Sequence, residues 1–360
     1  MIQASAPGKL FIAGEYAVVN HGYPSILVAV NRFITVSIEE AHDEGTIISK
    51  QYAHLPLKWK RVNNAFVIEK RDNPFHYIIE AINVVEEYAL ELGKTLSVYD
   101  LHVDSQLDNA SGAKYGLGSS GTVTITTIKA LFRYYGIPED DMIIFKLASL
   151  AHLNLGSNGS FGDLAASIMT GWIAYQSFDR EWVQWHRNKM SLQQLLSQPW
   201  PSLRIEKLKP LSKYELLIGW TKSPASTPSL VDKIQREADK ESYEHFLSDS
   251  RDVVNDMIEG FKQDDGELVL KKITENRQLL KTLNPSIETE SLQFLIDSSK
   301  EYGAGKSSGA GGGDCGIVLI KKDLDVNKLV ELWKQHNIEK LAIRVYDKHD
   351  KQEGMDHYES

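Results

Sequence analysis

The chain has 360 residues, 42% of them hydrophobic and 25% charged, with a formal net charge of −9 and a single cysteine. That length exceeds what one hydrophobic core usually supports, so two domains are expected, with the ordinary composition of a soluble globular protein. The acidic balance, with no run of four consecutive Lys or Arg, argues against nucleic acid as a partner, while the lone cysteine excludes an internal disulfide and fits a reducing, cytoplasmic setting.

The first segment, MIQASAPGKLFIAGEYAVV, has no basic stretch before its apolar residues and carries Glu15 among them, unlike a secretory leader. The longest uncharged run, Tyr16 to Asn31, is too short and too broken by His, Gly and Pro for a membrane span. KLFIAGEYAVV, SILVAVNRFITVSIEE and AFVIEK read as strands from their alternating, β-branched character. Asn73-Pro74 opens a helical pattern, FHYIIEAINVVEEYALELG, that ends at Gly93, and LSVYDLHVDS (96–105) reads as another strand.

A loop, DNASGAKYGLGSSG, leads into TVTITTIKALFRYYG, where strand alternation at Val123 and Ile125 competes with a helical stripe at Ile128, Leu131, Phe132 and Tyr135. Length and the closing Gly136 favour a helix. EDDMIIFKLASLAHLN, led by acids after Pro138, and GDLAASIMTG are two more helices, followed by the strand WIAYQSF. Residues 188–213 carry three prolines and weak periodicity, and the domain boundary is placed there, giving domains 1–205 and 206–360. Beyond it come the strand YELLIGW, a Ser/Pro loop containing Ser223, Ser226 and Thr227, helical patterns to about residue 302, and a glycine loop. Strand GIVLI, helix LDVNKLVELWKQHN, strand LAIRVYD and a polar tail from about residue 348 complete the chain. Strands mixed with helices in both halves predict an α+β protein.

The glycine loop, GAGKSSGAGGGDCG (303–316), imitates two nucleotide loops. Gly305-Lys306-Ser307 resembles the end of a P-loop, but Lys300 stands where its first glycine belongs and the predicted order is helix then strand. Gly311, Gly313, Gly316 and Val318 match a protein-kinase glycine loop, but no downstream His-Arg-Asp or Asp-Phe-Gly motif follows. A third pattern, Gly116-Leu117-Gly118-Ser119-Ser120-Gly121, fits G-x-G-x-x-G without the early strand and later acid of a dinucleotide fold. What remains at Lys114 to Gly121 is a glycine turn feeding a helix N-terminus, where free amides and the helix dipole attract phosphate. A plain turn with an N-cap serine is the competing reading. No Cys pair or His-Glu-x-x-His spacing offers a zinc site.

Taken together, PGKLFIAGEYAVV (7–19), KYGLGSSGTVT (114–124) and SSGAGGGDCG (307–316) resemble, in order and spacing, the three signature motifs of the GHMP kinases. The resemblance spans nearly the whole chain, and its third segment is most similar to the branch acting on phosphomevalonate. It implies an N-terminal domain like ribosomal protein S5 domain 2, a ferredoxin-like C-terminal domain, and phosphoryl transfer from ATP with Mg2+ to a small acceptor. By that resemblance Lys114, Gly116, Leu117, Gly118, Ser119, Ser120 and Gly121 would wrap the nucleotide phosphates, with Ser120 as magnesium ligand. Lys9, otherwise an ordinary surface lysine, and Asp163, otherwise an N-cap, would be the catalytic pair.

A phosphorylated acceptor has a second pKa of about 6, so its nucleophilic oxygen is ionised at neutral pH and needs no strong base. Two anions must instead be brought together, which calls for cations and amides. Lys9 is therefore assigned to charge neutralisation and Asp163 to orienting Lys9; with an alcohol acceptor, Asp163 has a stronger claim as base. Glu15, Tyr16 and His21, with Ser307, Ser308 and Gly309 as an anion nest, are candidate acceptor contacts, set against plain loop or core roles. Lys306, Arg187 and Arg277 are candidate cations for the acceptor phosphate, and Cys315 is expected to be a buried thiol. Two rivals stay open: another GHMP small-molecule kinase, especially one acting on mevalonate, and a non-catalytic nucleotide sensor. Monomer and homodimer are equally compatible with the sequence.

Overall fold

The computed structural model describes residues 1–50, 56–69, 72–108, 114–223 and 239–350. Ser226, Thr227 and most of the predicted tail lie outside the described residues. The chain begins with a long strand pair, β1 (Ile2–Ala13) and β2 (Pro24–Ala41), antiparallel throughout. β3 (Gly45–Ser49), β4 (Leu57–Val62), β5 (Ala65–Ile68), β6 (Val98–Ser105), β7 (Trp172–Gln176) and β8 (Arg204–Leu208) complete the first sheet in the order β5-β4-β3-β6-β2-β7-β8, with β1 on β2. Only β3 and β6 run parallel among the described pairs.

Helices α1 (His76–Glu91), α2 (Ser119–Tyr134), α3 (Asp141–Asn154) and α4 (Gly162–Met169) cover the sheet, α2 lying directly on β1 and β2. The ambiguous TVTITTIK segment is helical, and its threonines bond to their own backbone. Thr122, Thr124 and Thr126 hydroxyls donate to the carbonyls of Gly118 (3.0 Å), Ser120 (2.9 Å) and Thr122 (2.7 Å). Those bonds let β-branched polar residues sit fully buried inside a helix. Two short helices, α5 (Arg180–Arg187) and α6 (Leu192–Ser197), follow; α6 carries a Ser191/Gln194 capping box in a stretch where periodicity was too brief to read.

The second domain runs β9 (Tyr214–Trp220), α7 (Lys240–Lys262), α8 (Gly266–Leu283), α9 (Glu290–Ser298), β10 (Gly303–Ser307), β11 (Cys315–Lys321), α10 (Asn327–Gln335) and β12 (Glu339–Lys340). Its sheet is antiparallel in the order β10-β11-β9-β12. That β-α-β-β-α-β succession, with extra helices in the first crossover, is the ferredoxin-like arrangement the resemblance implied. Both ends of the expected glycine loop are therefore strand: GAGKS is β10, and Cys315-Gly316 opens β11, to which it pairs.

Two boundaries differ from expectation. The division at 205/206 falls inside β8, which pairs with β7 and carries the first sheet through Leu208. LAIRVYD forms no regular strand; it returns to the first domain through a Val30–Val345 bridge and bonds from Asn31 to Arg344 (2.9 Å) and Gly171 to Tyr346 (2.7 Å). Lys348, expected to open the tail, is anchored by its amide to the Thr170 hydroxyl at 3.0 Å.

One polar cluster ties the periphery of the first domain together. The guanidinium of Arg61 on β4 makes a bidentate pair with Glu86 on α1 (2.6 and 2.9 Å), and the Tyr99 and Tyr135 hydroxyls donate to the same carboxylate. Both ionised side chains are under a tenth exposed. Replacing Arg61 by Met leaves Glu86 as a buried charge, so Arg61→Met is expected to cost about 3–5 kcal/mol in denaturant unfolding; a loss under 1 kcal/mol would contradict it.

Candidate active site

β1 reaches the centre of the first domain as Pro7-Gly8-Lys9, and the loop before α2 lies across it. The Lys9 amide donates to the Leu117 carbonyl at 2.9 Å, while a Cβ on Gly8 would sit 2.9 Å from the same oxygen. Gly116 and Gly118 have φ of 78° and 80°, a left-handed backbone that disfavours side chains. Their missing side chains leave room for others. A Cβ at 118 would lie 2.7 Å from Lys9 Cε, one at 116 would lie 2.6 Å from Asp314 Oδ2, and one at 121 would lie 2.4 Å from Asp163 Oδ2. The glycines of the middle motif are thus the space that the other segments' lysine and carboxylates occupy.

Lys9 is 9% exposed, and its Nζ donates to the Gly116 carbonyl at 3.4 Å. Burial lowers its pKa, and the through-space charges of Asp163 and Asp314 oppose that fall. Asp163 stands inside the first turn of α4 and is not its N-cap; that position belongs to Phe161, held at φ 62°. Beside this group α2 begins at Ser119 with no side-chain cap and no acid in its first turn. Its free amides form a small positive field over Lys9 and Asp163. Ser119 and Ser120 are half-buried there, and the Tyr77 hydroxyl meets both the Ser120 side chain and the field of Asp163. Leu117 is in the core and offers only backbone, and Lys114 lies exposed at the loop's start.

The third segment closes the site from the second domain. The buried Lys306 ammonium pairs with Glu15, and the Gly309 amide donates to the same carboxylate oxygen at 3.3 Å. Ser308 both accepts from the Phe11 amide (2.9 Å) and donates to the Phe11 carbonyl (3.0 Å), and Tyr16 donates to Ala310 O at 2.5 Å. Ser307 is buried in β10, its carbonyl bonded by Lys306 at 2.6 Å. These expected acceptor contacts are largely spent on holding the domains together. The Gly309 amide, part of the expected anion nest, is taken by the protein's own carboxylate. The Gly312 and Asp314 amides are likewise used, by Ile287 and Ser223 carbonyls.

The structure brings Lys9, Asp163, Gly116 to Gly121, Glu15 and Tyr16 into one region and leaves His21 apart, exposed and 3.3 Å from Ser202 Oγ. Lys306, Arg187 and Arg277 are not free cations: they pair with Glu15, Glu87, and Glu288 together with Asp297. Cys315 donates to the Tyr115 carbonyl at 3.1 Å, and burial beside Asp314 pushes its pKa well up, so it stays a neutral thiol. Asp314 was not legible as a neighbour of Lys9; its only sequence signal is the glycine at 116 that makes room for it.

The family profile "GHMP kinases N terminal domain" matches residues 76–171, and "GHMP kinases C terminal" matches 257–339. A phosphomevalonate kinase from Streptomyces sp. strain CL190 is 35% identical over 357 residues, covering 94% of this chain and 95% of that enzyme. A mevalonate kinase from Methanocaldococcus jannaschii is 27% identical over 333 residues, covering 91% of this chain and 95% of that enzyme. The Streptococcus pneumoniae phosphomevalonate kinase, solved in complex with phosphomevalonate and AMPPNP, superposes with a TM-score of 0.85 at 30% identity, covering 96% of this chain and 100% of its own. With this similarity along almost its entire length, and its three motifs meeting at one buried lysine, the chain belongs to the GHMP kinases.

Proposed function

We infer that the enzyme transfers the terminal phosphoryl group of ATP to (R)-5-phosphomevalonate, forming the 5-diphosphate in the mevalonate route to isoprenoids. The observation that carries phosphoryl transfer is Lys9, buried against the uncapped start of α2 and flanked by Asp163. The choice of acceptor is supported by the relatives above, at 35% and 30% identity, that are named phosphomevalonate kinases.

The chemistry follows from that arrangement. The accepting phosphate is already ionised near neutral pH, so attack needs alignment and charge compensation more than a base. Lys9 neutralises the two approaching anions, and the amides at Ser119 to Gly121 take up charge on the nucleotide phosphates. Asp163 keeps Lys9 protonated and directed. Among the described residues no three-residue group of His, Cys, Asp or Glu stands ready to hold a metal. The Ser120 hydroxyl and the Asp163 carboxylate, both acting on Tyr77, nevertheless fit magnesium, which takes few protein oxygens and completes its shell with phosphate and water. Bound there, it would neutralise phosphate charge. The free, buried thiol of Cys315 supports a cytoplasmic setting.

A coupled ADP-release assay with phosphomevalonate, mevalonate and galactose tests this reading. Turnover on phosphomevalonate, with little on the others, is expected. Turnover on mevalonate alone would reassign the acceptor, and ATP binding without transfer to any acceptor would favour the sensor.

A further inference from the structure

Lys306, Arg187 and Arg277, the cations expected to meet the acceptor, are all paired to carboxylates. We propose that Arg180, at the start of α5, binds the acceptor's carboxylate, the anionic end remote from the reacting phosphate. The proposal rests on the acceptor inferred above.

Arg180 spans the two segments that frame the site. Its Nη1 donates to the Asn158 carbonyl at 2.9 Å, in the loop leading to Asp163, and its Nη2 donates to the Val19 carbonyl at 2.6 Å, at the end of the first motif. The guanidinium lies over the Phe161 ring, 5.3 Å from its centroid and two residues before Asp163. Tyr175, whose hydroxyl donates to the Ser160 carbonyl at 2.7 Å, feels the charges of both Asp163 and Arg180, so one hydroxyl lies within electrostatic reach of both.

Among the described residues no carboxylate forms a salt bridge with Arg180, although it is half-buried. A partly desolvated charge balanced by carbonyl dipoles alone is costly, and an anionic ligand would relieve that cost. Guanidinium offers five N–H donors, of which the two carbonyls use two, leaving three for an anionic ligand. Lys9, enclosed by Gly116 and Gly118, holds the phosphate end. Two cations at two separate places would then fix which end of the acceptor faces ATP.

The test compares wild type, Arg180→Met and Arg180→Lys in steady-state kinetics with phosphomevalonate and with its neutral carboxamide analogue. Arg180→Met is expected to raise KM for phosphomevalonate roughly 10- to 100-fold while leaving KM for ATP unchanged, and Arg180→Lys to recover part of the loss. The carboxamide should penalise wild type by a similar factor and add nothing to the Arg180→Met defect. A merely structural strap would not reproduce that last result. Equal carboxamide penalties in wild type and Arg180→Met, or a wild type that does not distinguish acid from amide, would overturn the proposal. The latter needs no variant to fold. If wild type fails to use phosphomevalonate, it is the acceptor assignment that fails; the same comparison then runs with mevalonate and its amide, since mevalonate carries the same carboxylate.

Discussion

Lys9→Met is expected to lower kcat by roughly 10²–10³-fold, the scale seen when one preorganised donor is taken from a developing anion. The side chain is enclosed by Gly116, Gly118 and the start of α2, so water has little room to replace its charge. Methionine nearly matches the lysine stem in length and suits a buried site that already disfavours the ammonium. Relief of the buried ammonium is offset by the lost countercharge to Asp163 and Asp314, so the variant should unfold near the wild-type temperature. Loss of activity with an unchanged unfolding midpoint separates catalysis from folding, whereas near-normal kcat would remove Lys9 from its assigned role. Because burial lowers the Lys9 pKa, its charge is lost as pH rises through a value below that of ordinary lysine. Turnover of phosphomevalonate, read as its kcat/KM at saturating ATP, should fall along that alkaline limb.

Asp163→Asn is the second large effect, with kcat expected to drop about 10²-fold. The carboxylate lies against Gly121 and raises the Lys9 pKa from across the site. Without it the lysine loses its nearest countercharge, so the alkaline limb should move to lower pH. A limb that stays in place in a pH profile of the residual activity would show that Asp163 does not sustain the Lys9 charge. Retained activity with an unshifted profile would sink both expectations.

Much of the fold is legible because many elements carry their own signals. α1 ends at its glycine, α3 begins at the Asp140 cap that accepts from Met142 and Ile143, and β9 is a compact apolar run. The elements that escaped are those whose signals are long-range. β10 looks like loop because a strand of GAGKS is held by pairing to β11 and by burial, neither of which is local. Residues 341–347 carry strand-like periodicity, yet they are spent lying along the first domain.

The site divides in the same way. Local sequence was enough to locate the glycine turn before a helix and to separate it from the look-alike at residues 303–316, while Lys9 and Asp163 stood out only through the resemblance to the GHMP kinase motifs. Composition could not say that Lys306 would be neutralised by Glu15, 291 positions away, or that Ser308 would hold β1 in place of a phosphate. It was silent on Arg180, which has no motif around it and acquires meaning only from Val19, Asn158 and Phe161. Helix caps, turns and glycine runs act over a few residues, so the order of amino acids decides them. Which charges are paired and which remain open to a ligand depends on contacts between distant segments, and only the folded chain decides that.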